Sequence, residues 1–396
     1  MSMKNNNFDI LYIIGDFNLG GTEKHLLYIL PLIKKTGLNI GVYTFKEKGI
    51  LAPEFNEKNI EIKTVFLSRY LLKLPVFFRK FFGFIINVIQ LFIIIQVYKP
   101  RILHMFLPEA YILGSISSFF NKKIIKIMSR RSNNYYFRYN KIIKILESYF
   151  HKKTNCLLAN SKSVHSDLYL ECKDHKKIKI LYNGVKLQSE NRTNISLKKI
   201  TQIRKKFLLQ DDDVIIVMLA NFIPYKNHNL ILNSIKELIN KTTIQFKFLF
   251  IGQDRGIKKI LVKSIDQLQI SNRVCFIENV TNPNDLIKVA DISVICSLHE
   301  GFSNAILESM AMGLPVIASN VGGNPEAIKN NYNGFIFDLK KSYELTNYLL
   351  LLIEDNKLRK KLGLNSIKRV EEHFNIDYCV SQYLKIYQSF NSLYER

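Results

Sequence analysis

Short apolar runs alternate with longer stretches of helical periodicity from one end of the chain to the other. Such alternation requires parallel sheets covered by helices, because a parallel strand is reached only through a crossover that then buries it on both faces. In the first half the strand candidates are Phe8–Ile14, Asn39–Phe45, Ile60–Phe66, Ile102–Met105, Lys123–Met128, Cys156–Ala159 and Ile178–Leu181. The second half repeats the rhythm with Val214–Ala220, Phe246–Ile251, Val274–Ile277, Ile292–Cys296, Val316–Ala318 and Gly334–Phe337. At 396 residues the chain is too long for one ordinary core. The polar stretch Lys186–Asn194 has no apolar period and reads as a linker. The expectation is an α/β chain with domains at 1–187 and 195–376, followed by a last helix within 377–396.

Phe81–Val97 is nearly all apolar and approaches the length of a membrane span. Asn87, Gln90 and Gln96 interrupt it, and it falls short of the ~20 apolar residues a span needs. A span would also cut the strand alternation between the third and fourth candidates. The segment therefore reads as a buried or interfacial helix of the first domain. A helix resting on a bilayer would set Arg69, Lys73, Arg79 and Lys80 at lipid phosphates.

The stretch with the most chemistry is Glu300 to Glu326, E-G-F-S-N-A-I-L-E-S-M-A-M-G-L-P-V-I-A-S-N-V-G-G-N-P-E. Ser303 suits an N-cap, Asn304–Met312 a helix, Gly313 its left-handed end and Pro315 the stop before a strand. Glu300 then lies ahead of a helix N-terminus, where backbone N–H groups and the helix dipole favour an anion, and Glu308 lies just over one turn inside. A nucleotide across this point could set its phosphate at the helix start and its ribose hydroxyls at Glu308. From spacing alone, two solvated acids are the favoured reading.

Other positions carry weaker signals. Gly20 and Gly21 sit at a strand-to-helix turn where backbone can approach a phosphate, or where a tight turn needs no ligand. Lys226 precedes a helix near Asn227, placed to neutralise a diphosphate or to be a surface charge. His104 ends a strand and is either a structural side chain or a site residue. Asp211-Asp212-Asp213 contains an Asp-x-Asp pattern, but it precedes a strand, away from the carboxyl ends where open sheets bind ligands, and reads as a solvated turn.

Taken whole, the Glu300–Glu326 segment resembles the signature of the retaining, two-lobed glycosyltransferases called glycosyl transferases group 1, or family four: Glu-x7-Glu, a Gly-x-Pro-Val strand and a Gly-Gly-x-x-Glu turn. The resemblance implies a GT-B fold, two Rossmann-like domains with parallel sheets facing across a cleft. The first would bind acceptor, the second nucleotide-sugar, and the last helix would cross back to brace the first. It implies that Glu308 holds the donor ribose, that Glu300 with the N–H groups of Phe302, Ser303, Asn304 and Ala305 contacts the sugar and its phosphate, and that Lys226 stabilises the departing diphosphate. Gly20 and Gly21 would lie over the diphosphate and acceptor, and His104 would contact the transferred sugar or acceptor. The family's Gly-Arg-x4-Lys segment is altered, with Ala220 and Asn221 at the Gly and Arg positions. Asn221 is thus a donor-side position short of one cation, which Arg130 or Arg131 could replace if Lys226 does not act alone. Asn160-Ser161 and Tyr182 to Val185 read as scaffold, with Lys186 where the family has Asp. Transfer would proceed with retention and without a metal or other cofactor.

Net charge is +24, and residues 1–190 hold 30 Lys and Arg against 13 Asp and Glu. The basic first half suits a phosphate-rich surface. No nucleic-acid module is recognisable, so an anionic membrane surface is the favoured partner, with Tyr135, Tyr136 and Phe137 suiting a lipid-linked saccharide acceptor of bacterial surface polysaccharide or lipopolysaccharide assembly. Five cysteines without metal or redox spacing indicate a reducing compartment, and no secretory signal is visible, so the expected location is the cytoplasm, peripheral on the inner membrane face. The alternative is a non-catalytic nucleotide or nucleic-acid binding protein using the same basic face. A nicotinamide oxidoreductase is disfavoured because G-x-G-x-x-G is absent.

Overall fold

The computed structural model describes residues 7–18, 20–46, 48–64, 75–133, 141–187, 197–280 and 283–390. Arg69, Lys73, Tyr135, Tyr136, Phe137, most of the 186–194 linker and the side chains of Arg79 and Lys80 lie outside them. The chain divides into two compact units, 1–183 with 377–396, and 184–376.

The first unit runs β1 (Ile10–Ile14), α1 (Gly21–Lys35), β2 (Ile40–Thr44), α2 (Ala52–Glu57), β3 (Glu61–Thr64), α3 (Val76–Tyr98), β4 (Ile102–Phe106), α4 (Pro108–Ser117), β5 (Ile125–Arg130), α5 (Lys141–His151), β6 (Cys156–Ala159), α6 (Lys162–Glu171) and β7 (Ile178–Ile180). The second runs α7 (Leu197–Lys206), β8 (Val214–Leu219), α8 (His228–Ile239), β9 (Phe246–Ile251), α9 (Lys258–Leu268), β10 (Val274–Ile277), α10 (Asn284–Lys288), β11 (Ile292–Ile295), α11 (Asn304–Ala311), β12 (Val316–Ser319), α12 (Asn324–Ala327), β13 (Gly334–Phe337), α13 (Ser342–Glu354) and α14 (Asn356–His373). The last helix, α15 (Ile376–Gln388), begins at the boundary and returns to the first unit.

Every strand pairing is parallel. The first sheet has order β3-β2-β1-β4-β5-β6-β7 and the second β10-β9-β8-β11-β12-β13. Each expected strand forms with ends shifted by up to two residues, Lys123–Met128 as Ile125–Arg130, while Val65 and Phe66 of the third lie outside the described residues; Phe8, Leu181, Ala220 and Cys296 are buried but lie just beyond the ladders. Strand β8 shows why the runs are continuously apolar. Ile216 and Met218 enter one core with Phe248 and Phe250, while Ile215 and Val217 enter the core on the opposite face with Leu249 and Ile251.

The unit boundary falls at Asn183/Gly184, ahead of the polar linker. Val185 explains it, since its N–H donates to Phe374 O at 2.9 Å and its carbonyl accepts from Ile376 N at 3.1 Å, tying the segment to the end of the second unit.

Strand order reverses direction at β1/β4 in the first sheet and at β8/β11 in the second. Ligands in open parallel sheets bind at the carboxyl ends of such switch points, because the two following loops diverge there to opposite faces.

Candidate active site

In the second unit the switch point brings together the loops after β8 and β11. The first closes with a 3-10 turn, Pro224–Lys226, and a left-handed Asn227 (φ 57°) before α8. Leu298 N donates to Tyr225 O at 2.7 Å, joining the two loops. Lys226 Nζ consequently pairs with the Glu300 carboxylate, with side chains only 16 % and 11 % exposed. Ser297 Oγ donates to the same oxygen, Glu300 Oε1, at 2.7 Å and helps fix the carboxylate. Burial pulls the Lys226 ammonium down, but the charge of Glu300, with Tyr225 and the hydrogen bond adding to it, outweighs burial and holds the amine above its ordinary pKa. Lys226 is a permanent cation at neutral pH.

Beyond Glu300 the chain enters α11. Ser303 holds the N-cap position with extended φ and ψ, yet its hydroxyl makes no cap bond. The helix start is thus left without a side-chain cap, at the point where an anion is favoured. Phe302 is buried with its ring 5.4 Å from that of Phe374, Ser303 is buried, and Asn304 and Ala305 are partly exposed at the first turn. Glu308 lies buried in the next turn. Gly313 takes φ 70°, the left-handed helix end, and β12 follows. Gly301 O accepts from Gly323 N at 2.9 Å, so the glycine turn after β12 folds back against this loop.

Asn221 does not reproduce an arginine. Its Oδ1 accepts from Gln253 N at 3.0 Å, Phe222 N donates to Gln253 O at 2.8 Å, and Arg255 N donates to Phe222 O at 3.1 Å. The loops after β8 and β9 are zippered, and the second of them carries an exposed arginine, Arg255, that sequence reasoning missed. His228, at the start of α8, is buried between Phe222 and Phe250, and burial followed by the Lys226 charge lowers its pKa to about 4.

In the first unit His104 is wholly buried, with Nδ1 2.8 Å from Tyr387 Oη and Nε2 2.8 Å from Ser129 Oγ. Both ring nitrogens are engaged inside the unit; burial, then Arg131, lowers its pKa to about 3. Arg130 is no phosphate ligand. It is fully buried and pairs with Glu147 and, at 2.8 Å, with Glu171, which in turn lies 3.3 Å from His151 Nε2. Glu147, His151 and Glu171 are the one group of donors close enough for a metal among the described residues, and the Arg130 guanidinium already supplies their positive charge.

Gly20 and Gly21 lie at the β1-to-α1 turn as expected. Gly20 is the N-cap, with no side-chain cap, and a Cβ on it would fall 2.2 Å from Glu23 Oε2. The Glu23 carboxyl, not recognised from sequence, is pushed up to about 7; burial dominates, its own backbone N–H opposes, and Asp16 adds to the rise against Arg131 and Lys46. Its signal was the acid three positions after Gly20 in G-G-T-E. Arg131 donates to Asn183 Oδ1 at 2.6 Å. Asp213 accepts from Gln210 N at 2.7 Å in the turn at the amino edge of β8, the end opposite Lys226.

Residues 199–369 match the model of a protein family described as Glycosyl transferases group 1. This segment belongs to that family. The matched residues hold Lys226, Glu300 and Glu308 together. Among relatives of this glycosyl transferase segment, the chain is 25 % identical to the N-acetyl-alpha-D-glucosaminyl L-malate synthase of Bacillus anthracis over 60 % of either chain. It is 27 % identical to the Escherichia coli UDP-Gal:alpha-D-GlcNAc-diphosphoundecaprenol alpha-1,3-galactosyltransferase over 58 % of this chain and 62 % of that one. The chain thus matches about three-fifths of these relatives' own length. The crystal structure of Anabaena Alr3699/HepE in complex with UDP-glucose is similar in fold, with a TM-score of 0.82 at 18 % identity, covering 97 % of this chain and 100 % of that chain. The architecture of two parallel-sheet, Rossmann-like domains is that of the GT-B fold.

Proposed function

We propose that the protein is a retaining glycosyltransferase that moves a sugar from a nucleotide-sugar to a saccharide acceptor, and that the acceptor is lipid-linked, as in bacterial surface polysaccharide or lipopolysaccharide assembly. The observation that carries the reading is the Lys226–Glu300 pair at the β8/β11 switch point, inside the segment that matches the family. A solvated surface lysine would have no reason to be buried, raised in pKa and anchored through Ser297.

In this reading the donor diphosphate lies at the uncapped start of α11, against the amides of Phe302 to Ala305, and Glu308 accepts from the ribose hydroxyls. As the sugar–phosphate bond breaks, negative charge grows on the leaving diphosphate, and Lys226, held as a cation in a partly buried setting, stabilises it. Arg255, on the loop zippered to Asn221, supplies the second cation that Asn221 cannot. Glu300, bound on one side by Lys226 and Ser297, orients the sugar and is not a nucleophile. The acceptor attacks from the face the phosphate leaves, with the phosphate taking its proton, so the anomeric configuration is retained and no close acid pair of the hydrolase kind is needed. Gly20 and Gly21 are assigned to the donor diphosphate and the acceptor.

The donor charge is met by side chains, and the Asp-x-Asp pattern lies at the amino edge of β8, so the reaction is proposed to need no metal. The two relatives' names differ, one a synthase of glucosaminyl malate and one naming a diphosphoundecaprenol-linked sugar. The exposed apolar helix of the first unit favours the lipid-linked class at the cytoplasmic face of a membrane. The test is the anomeric configuration of the product by NMR, with chelator present: an α-linked product from an α-linked donor supports the reading, and a β-linked product or a rate restored only by manganese refutes it.

A further inference from the structure

Helix α3 is docked through one narrow stripe and exposed elsewhere. Gly83, Asn87, Leu91 and Ile95, four apart, are buried. Leu91 and Ile95 enter the core of the first unit. Asn87 pins the helix, its Oδ1 accepting from Tyr43 Oη at 2.9 Å and its Nδ2 donating to Gly83 O at 2.9 Å. On an ordinary surface helix the remaining positions are polar. Here Phe81, Ile85, Ile89 and Phe92, on the opposite face, are 38 to 55 % exposed, and Phe82 and Ile93 flank them. Contiguous exposed apolar surface of this kind marks an interaction site.

The surface extends past α3. The connections from β3 to β4, β4 to β5 and β5 to β6 all advance in one direction across the sheet, so right-handed crossovers set α3, α4 and α5 in one layer. Helix α4 is buried between its neighbours. Ile142 and Ile145 on α5 are 70 % and 69 % exposed, and Phe120 in the turn after α4 is 89 % exposed. The charges around them are mainly basic, with Glu109 at the start of α4 paired to Lys46 and Asp174 paired to Lys177. Lys122, Lys123, Lys144, Lys152 and Lys153 are exposed, α3 contains no acid, and Glu147, the single acid of α5, is buried against Arg130.

Phe81–Tyr98 is long and apolar enough to cross a membrane. The buried stripe and the Asn87–Tyr43 bond instead hold it along the sheet. We infer that the outer face of the α3–α4–α5 layer docks on an anionic lipid bilayer, with its aromatic and aliphatic side chains in the acyl boundary and its lysines at lipid phosphates. A protein groove covers one side of a helix, whereas α3 exposes apolar residues all around its docked stripe, which a bilayer interface accommodates together. The purpose of this docking, access to a lipid-linked acceptor, rests on the transferase reading; its observations do not.

The chain has no tryptophan, so Phe92→Trp in this 396-residue chain carries the sole indole. Its emission should shift to the blue on vesicles containing phosphatidylglycerol and much less on phosphatidylcholine alone, while Tyr343→Trp on α13 of the second unit should not shift. Lys152→Glu with Lys153→Glu should weaken vesicle partitioning at least about tenfold, and Ile89→Glu should do likewise, with thermal melting and nucleotide binding unchanged. If Ile89→Glu melts early, the lysine pair and the indole probe decide. No blue shift on anionic vesicles, indifference to lysine reversal, or a shift that follows self-association or an acidic protein alone would overturn the proposal. Vesicle binding without any nucleotide-sugar binding would sink the transferase reading and leave the docking face standing; transfer to a soluble acceptor without vesicle binding would do the reverse.

Discussion

Lys226 and Glu300, 74 residues apart in sequence, meet as a partly buried ion pair because the loops that carry them follow the two strands at which the second sheet reverses direction. In the proposed reading the pair positions a cation where a phosphate leaving group departs. Its energetics can be separated from its catalytic role. Removing either partner strands the other charge, so Lys226→Met and Glu300→Gln should each destabilise the second unit by more than the double variant does relative to the better single, with a coupling of about 1–3 kcal/mol. Urea unfolding of the four proteins measures it, and additivity within error would show that the pair does not hold the two loops together.

Lys226→Ala should lower kcat by about 10²–10³ while weakening nucleotide binding less than about tenfold, because its interaction strengthens as charge develops on the leaving group. Steady-state rates alongside calorimetric titration of the nucleotide separate the two effects. Equal losses in binding and turnover would make Lys226 a ground-state ligand only.

Glu308→Gln keeps the size of the side chain and removes its charge. A carboxylate accepting from ribose hydroxyls contributes about 1.5–3 kcal/mol, so donor affinity should fall roughly 10- to 100-fold. The corresponding deoxyribose nucleotide should lose little further affinity in this variant, whereas an undiminished penalty for the missing hydroxyl would place the ribose elsewhere.

His104→Phe should destabilise the first unit by about 1–3 kcal/mol, since it leaves Tyr387 and Ser129 without their shared partner, and should change kcat and KM only a few-fold. A catalytic histidine would show the opposite pattern, with stability kept and kcat lost by orders of magnitude.

Acid stability follows from the buried imidazoles. His25, His104 and His228 all titrate below their ordinary value in the folded chain, His104 near 3 and His228 near 4, with burial the leading cause in each. Between those values and about 6.5 the unfolded chain binds more protons than the folded one, so stability is full above about 6.5 and falls as pH drops through this window. Thermal melts at constant ionic strength should lose Tm steadily from pH 7 to pH 4, and His104→Gln should flatten part of the slope. A Tm independent of pH across that range would contradict the assigned burial.

The fold was legible because most parallel strands are buried on both faces and read as short apolar runs, although β3 is half exposed and the apolar run Tyr348–Ile353 is helical. The same logic hid the state of α3: a helix apolar on every side gives no periodicity from which to tell its docked stripe from its exposed faces. The buried contacts of His104 were not legible because Tyr387, the residue that occupies one of its nitrogens, is 283 positions away on the last helix. Arg130 and Arg131 look alike in S-R-R-S-N, yet strand alternation and the acids of α5 and α6 bury only the first. Asn221 stands in sequence where the family has an arginine, and that Arg255 lies on the neighbouring loop became visible only once β9 was seen beside β8. Local motifs set by one turn and one helix could be read directly, and relationships made by sheet order could not.

The central claim is sugar transfer from a nucleotide donor through the site around Glu300 and Glu308. Its most direct measurement is incorporation of labelled sugar from a panel of UDP-, GDP- and ADP-sugars into native membrane lipid, with chelator present, for the wild type and Glu308→Ala. The account predicts label in the lipid fraction from one donor class with the wild type and a large loss with the variant. No incorporation from any donor, together with no nucleotide binding, would contradict it.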